Sequence, residues 1–166
     1  MKLRYFLATC LASLVVQAQQ APAPAVPTEQ SSISAVEITE RIHQAEAATK
    51  GGAQYHGAPL LLSGPYRANL EYHNTPADSF NVHETDSELF VVVEGSGTMT
   101  LGGKLINPTR KGTNLSAPTE EGGVPHKLVK GDMVLIPENT VHAVTQVDGR
   151  LVLMSMHLPH VAASPP

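Results

Sequence analysis

Residues 81–99, NVHETDSELFVVVEGSGTM, place one histidine and one glutamate, His83 and Glu88, five positions apart and then run through aliphatic residues into a Gly-rich turn. Imidazole and carboxylate are the side chains that bind divalent metals. The segment therefore reads either as a metal site assembled on strands or as a surface strand that carries a histidine. Alternate residues of a strand share a face, so Asn81 points with His83, and Glu88 points with Phe90 and Val92. A turn through residues 84–87 lets a hairpin bring Glu88 back across from His83. A second stretch, GDMVLIPENTVHAVTQ at residues 131–146, adds another histidine. Gly131, Pro137 and Asn139 frame a turn into a strand beginning at His142, with Val144 and Gln146 on the same face.

These side chains need a scaffold, and the chain carries signals for one. In SAVEITERIHQAEAATKGG, Ser34 and Glu37 have capping-box spacing, and Gly51 and Gly52 supply a stop, predicting a helix within residues 33–52. Val36, Ile42 and Ala45 form only a modest apolar stripe. The helix is thus expected on the outside of the domain or against a partner subunit, with His43 solvated. From Ala53 onward the signals are those of strands. YRANLEYH alternates, and ELFVVVEG, GTMTLGG, DMVLIP, HAVTQV and RLVLMSMHL are short β-rich runs bounded by Gly, Pro or Asn. Six such runs with no helix between them predict an antiparallel sandwich or barrel of jelly-roll type. With four Tyr, three Phe and no Trp, aliphatic side chains and Met must fill its core. The polar stretch across residues 103–127 has no clear period and is expected as a lid or a surface loop. It carries an N-glycosylation sequon at Asn114.

The N-terminus reads as a secretory signal peptide over residues 1–18. Lys2 and Arg4 precede an apolar run from Phe6 to Val16, and Val16 and Ala18 fit a cleavage site. Eleven apolar-leaning residues are too few to span a bilayer. Cleavage removes both charges, moving the net charge from −4 to −6, and removes the single cysteine, leaving no disulfide or thiolate chemistry. A mildly acidic chain without a basic run argues against nucleic acid and anionic membrane as partners. Residues 19–32, rich in Pro and Ala, are expected as a disordered linker. The expected location is secreted or periplasmic.

The two histidine-bearing segments resemble the paired motifs of the cupin superfamily. The first motif usually reads H-x-H, three or four residues, E, six residues, G. This chain has N-x-H, four residues, Glu88, six residues, Gly95. The second usually reads G, five residues, P-x-G, two residues, H, three residues, N. This chain has Gly131, five residues, Pro137-Glu138-Asn139, two residues, His142 and, three further on, Gln146. The resemblance covers about residues 60–158. It implies an all-β fold over residues 53–160, a cupin-type antiparallel β-barrel (double-stranded β-helix, jelly roll) with the N-terminal helix at 33–52 beside it. It also implies one divalent metal held by three histidines and a glutamate.

Carried over by position, His83, Glu88 and His142 match ligands, and Asn81 stands where the first histidine is expected. Two histidines and one carboxylate are the donor set associated with open-sided non-haem iron, and the same donors suit Mn, Zn, Ni or Cu. Asn81 either contributes its carbonyl oxygen, binds through water, or does neither. Around this set, Gln146 is read as an amide that orients a ligand or as a rim residue. His73 is read as a rim residue or a stand-in ligand, and Tyr72 and Phe90 as core or pocket wall, as is Tyr66. His157, at the end of the last strand, is read as a surface or rim residue or as one projecting toward the cavity, and His56, His126 and His160 are expected in solvent. The functional expectation is a metal-dependent small-molecule enzyme of dioxygenase, isomerase or lyase type. The alternative is a binding module without turnover. The resemblance also implies that such a chain commonly forms a homodimer.

Overall fold

A computed structural model of the chain describes residues 29–53 and 55–160. The expected signal peptide (1–18) and most of the expected linker (19–32) lie outside the described residues. Within the linker's end, Gln30 exchanges two backbone hydrogen bonds with Leu62, at 2.8 and 2.9 Å.

The helix α1 spans Ala35–Lys50. Its capping box is complete: the Glu37 N–H donates to Ser34 Oγ at 3.2 Å and the Ser34 N–H donates to Glu37 Oε2 at 2.8 Å. The apolar stripe is used within the chain, because Ile42 and Ala45 pack on Ala58, Leu60, Leu70 and Tyr72 of the adjacent sheet. No helix among the described residues is long and apolar enough to cross a membrane.

Eleven strands follow among the described residues: β1 (Tyr55–Ser63), β2 (Tyr66–His73), β3 (Phe80–His83), β4 (Asp86–Leu101), β5 (Lys104–Leu105), β6 (Thr109–Lys111), β7 (Asn114–Ala117), β8 (Glu120–Glu121), β9 (Val124–Val129), β10 (Met133–Ile136) and β11 (His142–Pro159). All pairings are antiparallel. β4 and β11 pair along nearly their whole lengths and form the spine. The first half of β4 is flanked by β10, and the second half of β11 by β2 and β1. The second half of β4 is flanked by β9, and the start of β11 by β3, β7 and β6.

The spine bends at its middle, so that its two halves face each other. Phe90, Val92, Ile136, Leu151 and Leu153 from one half pack on Met99, Leu128 and Val144 from the other. The Gly-rich stretch expected as a turn is this bend, inside one continuous strand. Gly95 has φ +78°, and a Cβ on it would lie 1.9 Å from the Arg150 carbonyl oxygen. Register shifts accompany the bend on both strands: β11 carries extra residues between Val147 and Leu151, and β4 carries Val93 as the extra residue opposite Val152 and Leu153.

Two other expectations are corrected. The segment from His83 to Glu88 is no hairpin: β3 pairs with β7 and β11, whereas β4 pairs with β9, β10 and β11. The chain instead steps from one layer to the other, so His83 and Glu88 meet across the interior. The 103–127 stretch is neither lid nor flopping loop. It folds as β5 to β8 and the start of β9, with β7 laid along β3. Arg110 clasps this arm to the β3–β4 step through both carboxylate oxygens of Glu84.

Gly95→Ala should destabilise the protein by about 2–4 kcal/mol, combining the cost of a left-handed non-glycine residue with overpacking at the bend. A urea unfolding midpoint unchanged from wild type would show that the bend does not need glycine.

Candidate metal centre

One end of the space between the two layers is a cavity of about 500 Å³. Its apolar wall includes Phe90, Met99, Ala143 and Val144, and its polar wall includes Asn69, Glu71, His73, Asn81, His83, Glu88, His142 and His157. The polar residues of β2 reach it by simple alternation. Ala68, Leu70 and Tyr72 turn outward, the last two packing in the cluster beneath α1, while Asn69, Glu71 and His73 turn inward. Both faces of this strand are covered, so its polar face is the cavity wall.

Glu88 sits at the centre of the site and is 3% exposed. Its Oε2 lies 3.3 Å from His83 Nε2 and 3.4 Å from His142 Nε2, and its Oε1 lies 3.4 Å from His157 Nε2. The donor atoms of His83, Glu88 and His157 all lie within 4.8 Å of one another. His83 and His142 stand side by side, with ring centroids 5.2 Å apart, and His83 meets His157 edge-on at 5.1 Å.

Strand register and one turn set these positions. Glu88 and His157 are directly opposed residues of β4 and β11, so they share a face by register. His142 opens β11 opposite Asn81 of β3. The turn before it is pinned to β3 by the Asn139 N–H, which donates to the His83 carbonyl at 2.8 Å. Asn139 takes φ +60°, a left-handed position that Asn tolerates, which explains how the second motif functions without its usual glycine.

The outer nitrogens of two imidazoles are held by oxygens. His83 Nδ1 donates to Asn114 Oδ1 at 3.0 Å, and His142 Nδ1 donates to the Thr140 carbonyl at 3.1 Å. A proton on Nδ1 leaves the Nε2 of a neutral imidazole as a lone pair. Those lone pairs converge on an anionic carboxylate, an arrangement that is repulsive unless a positive charge lies among them. A divalent ion supplies that charge. Two ligand atoms each about 2.1 Å from one ion stand about 3.0–3.4 Å apart, which matches the separations here. The residues present therefore fit a metal.

Protons can supply the same charge. Burial pushes the Glu88 carboxyl up, but hydrogen bonds from His142 and His83 and the nearby charges of His142 and His157 overcome it and hold the group at about 2. His83 is raised, chiefly by its contact with Glu88, against the opposing effect of burial and with help from Asn114.

Of the sequence-derived site residues, His83, Glu88 and His142 come together here. Asn81 and Phe90 line the same cavity. His73 lines it too and is 5% exposed, so the expected rim residue is an interior one. Tyr72 does not line it, because it lies on the outward face of β2 under α1. Gln146 is exposed and donates to Asp148 Oδ1 at 2.8 Å. A register shift between Val144 and Gln146 breaks the alternation that would have kept it on the face of His142. Sequence reasoning left out His157 as a ligand and passed over Asn114 and Tyr55. His157 follows no motif spacing. Its position comes only from pairing with Glu88 across β4 and β11.

The sequence matches no family model and no curated protein. Similarity lies in the fold. A Bacillus halodurans protein of known crystal structure superposes with a TM-score of 0.52 at 16% identity, covering 86% of each chain. A cupin superfamily protein from Desulfitobacterium hafniense gives 0.44 at 15% identity, over 64% of this chain and 79% of that one. The cupin domain of Cnp3 from Schizosaccharomyces pombe gives 0.45 at 12% identity, over 65% and 63%. This chain is a mostly antiparallel β fold with one N-terminal helix, and the Bacillus halodurans protein shares its overall fold.

Asn114→Ala should weaken metal binding about 10-fold or more while leaving the fold intact, since it frees the His83 ring. Calorimetric titration with Zn(II) measures it, and unchanged affinity would remove Asn114 from the site. Affinity should also fall as pH drops from about 8 to 6, because a raised His83 holds its proton more strongly and must release it to bind an ion. In the metal-free protein the depressed Glu88 contributes stability that is complete above its ordinary carboxylate pKa of 4.5. That stability should be lost as pH falls through about 2, which acid unfolding monitored by circular dichroism would register.

Proposed function

We propose that this chain binds one divalent transition metal through His83, Glu88 and His157, with His142 beside them, and presents it to a small molecule in the cavity. The observation that carries this reading is the convergence of imidazole Nε2 atoms on one buried carboxylate, with two of the outer nitrogens already committed to oxygen acceptors. The donor set suits Fe, Mn, Zn, Ni or Cu. Bound there, such an ion would act as a Lewis acid or an open coordination site for a small-molecule enzyme.

The protein's own residues have separate tasks in this scheme. Asn114 and the Thr140 carbonyl orient two imidazoles. Phe90, Met99 and Val144 supply an apolar wall that limits water on one side. Asn69, Glu71, His73 and Asn81 offer hydrogen-bonding groups to whatever enters. Export is part of the same proposal and is supported by the charged, apolar and small-residue pattern of residues 1–18.

The test is elemental analysis of protein purified from its native compartment. About one ion per chain is expected, with loss in Glu88→Ala, His83→Ala and His157→Ala. Sub-stoichiometric metal that these substitutions leave unchanged would sink the proposal. If the ion is present, turnover of a panel of phenols, diketones and thiols separates an enzyme from a binding module.

A further inference from the structure

The cavity holds a second cluster that the metal centre does not use. His73 Nε2 donates to Glu71 Oε2 at 3.3 Å, and the Tyr55 ring lies over the imidazole with centroids 4.9 Å apart. All three residues line the cavity. His73 is 5% exposed, and its Nδ1 is buried without a hydrogen-bond partner. An interior imidazole with one unmet nitrogen is costly to keep, so what it holds in place requires an explanation. What it holds is Glu71, a carboxylate on the cavity wall. Tyr55 is partly exposed, and burial beside Glu71 and Glu88 raises its phenol well above the ordinary tyrosine value, keeping it a neutral donor.

The charge of the wall narrows what can bind. Among the described residues, those lining the cavity include Glu71, Asp78 and Glu88 but no lysine or arginine. Glu88 is committed to its three imidazoles. Away from the histidines around Glu88, an anionic ligand such as a phosphate ester would face the carboxylates of Glu71 and Asp78. A ligand bearing an ammonium or hydroxyl group finds an oriented acceptor. The apolar lining, Phe90 in the same layer and Met99 and Val144 in the facing one, suits an apolar body.

We propose that Glu71 is the ligand-recognition carboxylate of this cavity, positioned by His73, and that the ligand is a small amphipathic molecule with an ammonium or hydroxyl group on an apolar or aromatic body. This deepens the proposed metal-dependent function but rests on residues outside the metal centre. Selectivity for such ligands comes from charge and hydrogen bonding at Glu71, and the ion engages another part of the same molecule.

The experiment uses three probes of one shape, benzylamine, benzyl alcohol and benzoate, titrated by ligand-observed NMR into the full chain, both metal-free and loaded with Zn(II). In the metal-free protein, benzylamine and benzyl alcohol should bind at least tenfold more tightly than benzoate. Glu71→Gln should weaken benzylamine at least tenfold while leaving Zn(II) stoichiometry unchanged. His73→Gln, which keeps a donor but alters its reach, should weaken it by a smaller factor. Equal binding of benzoate, or benzylamine affinity untouched by Glu71→Gln in a folded variant, overturns the proposal. Loss of Zn(II) in Glu71→Gln also overturns it, because Glu71 would then belong to the metal centre. A wild-type chain that binds benzylamine through Glu71 but takes up no Zn(II) refutes the metal reading and leaves this one standing.

Discussion

A carboxylate buried at 3% exposure must be surrounded by positive charge or donated hydrogen bonds, and Glu88 imposes that demand on the whole interior. Three histidines from three stretches of chain surround it, and the charge comes from protons on their rings or from a cation held among them: His83 from β3, His142 from the start of β11 and His157 from near its end. No local structure brings these together. They meet because the two long central strands fold back on themselves, so the positions of the imidazoles and the bend of the sheet are one constraint. Oxygens of Asn114 and Thr140 then fix which nitrogen of two rings faces inward. The outcome is a site whose lone pairs and negative charge leave room for a cation.

The same bend builds the core and the cavity. One end of the interlayer space is filled by Val92, Leu128, Leu151 and their neighbours, while the other opens among polar groups. Burial of the sheet's other face under α1 allows β2 to present Asn69, Glu71 and His73 inward. A strand with one solvated face would have turned these outward. Further along the sheet, Met133 and Leu135 of β10 are 63% and 59% exposed, an apolar surface that the helix does not reach. Of the two placements expected for the helix, the domain's outside or a partner subunit, the first holds: Ile42 and Ala45 pack on the sheet, while Val36 stays exposed.

Much of this was legible in the residues. The helix was readable because its capping box and glycine stop are local signals. The all-β character was readable because strand periodicity and turn residues are local too. His83, Glu88 and His142 were readable because the paired cupin-like motifs place them at fixed offsets. Errors arose where local rules were extended across irregularities. The alternation carried from His142 to Gln146 fails at a bulge. The turn assigned to the glycines near Gly95 is a bend within a strand, since a positive φ permits either and only the partner strand decides between them. The polar 103–127 stretch lacked an apolar period because its short strands lie largely exposed at a sheet edge, with little to bury.

What the sequence determined by itself is the helix, the β character of the main apolar runs and the identity of three metal-binding candidates, because backbone preference and motif spacing act over a few residues. The tertiary structure decided which face of each strand is interior and which side chains are neighbours. Tyr72 and His73 are adjacent in sequence, yet one supports the helix and the other lines the cavity. His157 lies sixty-nine positions from Glu88 and opposes it directly, because strand register couples residues without regard to their separation along the chain.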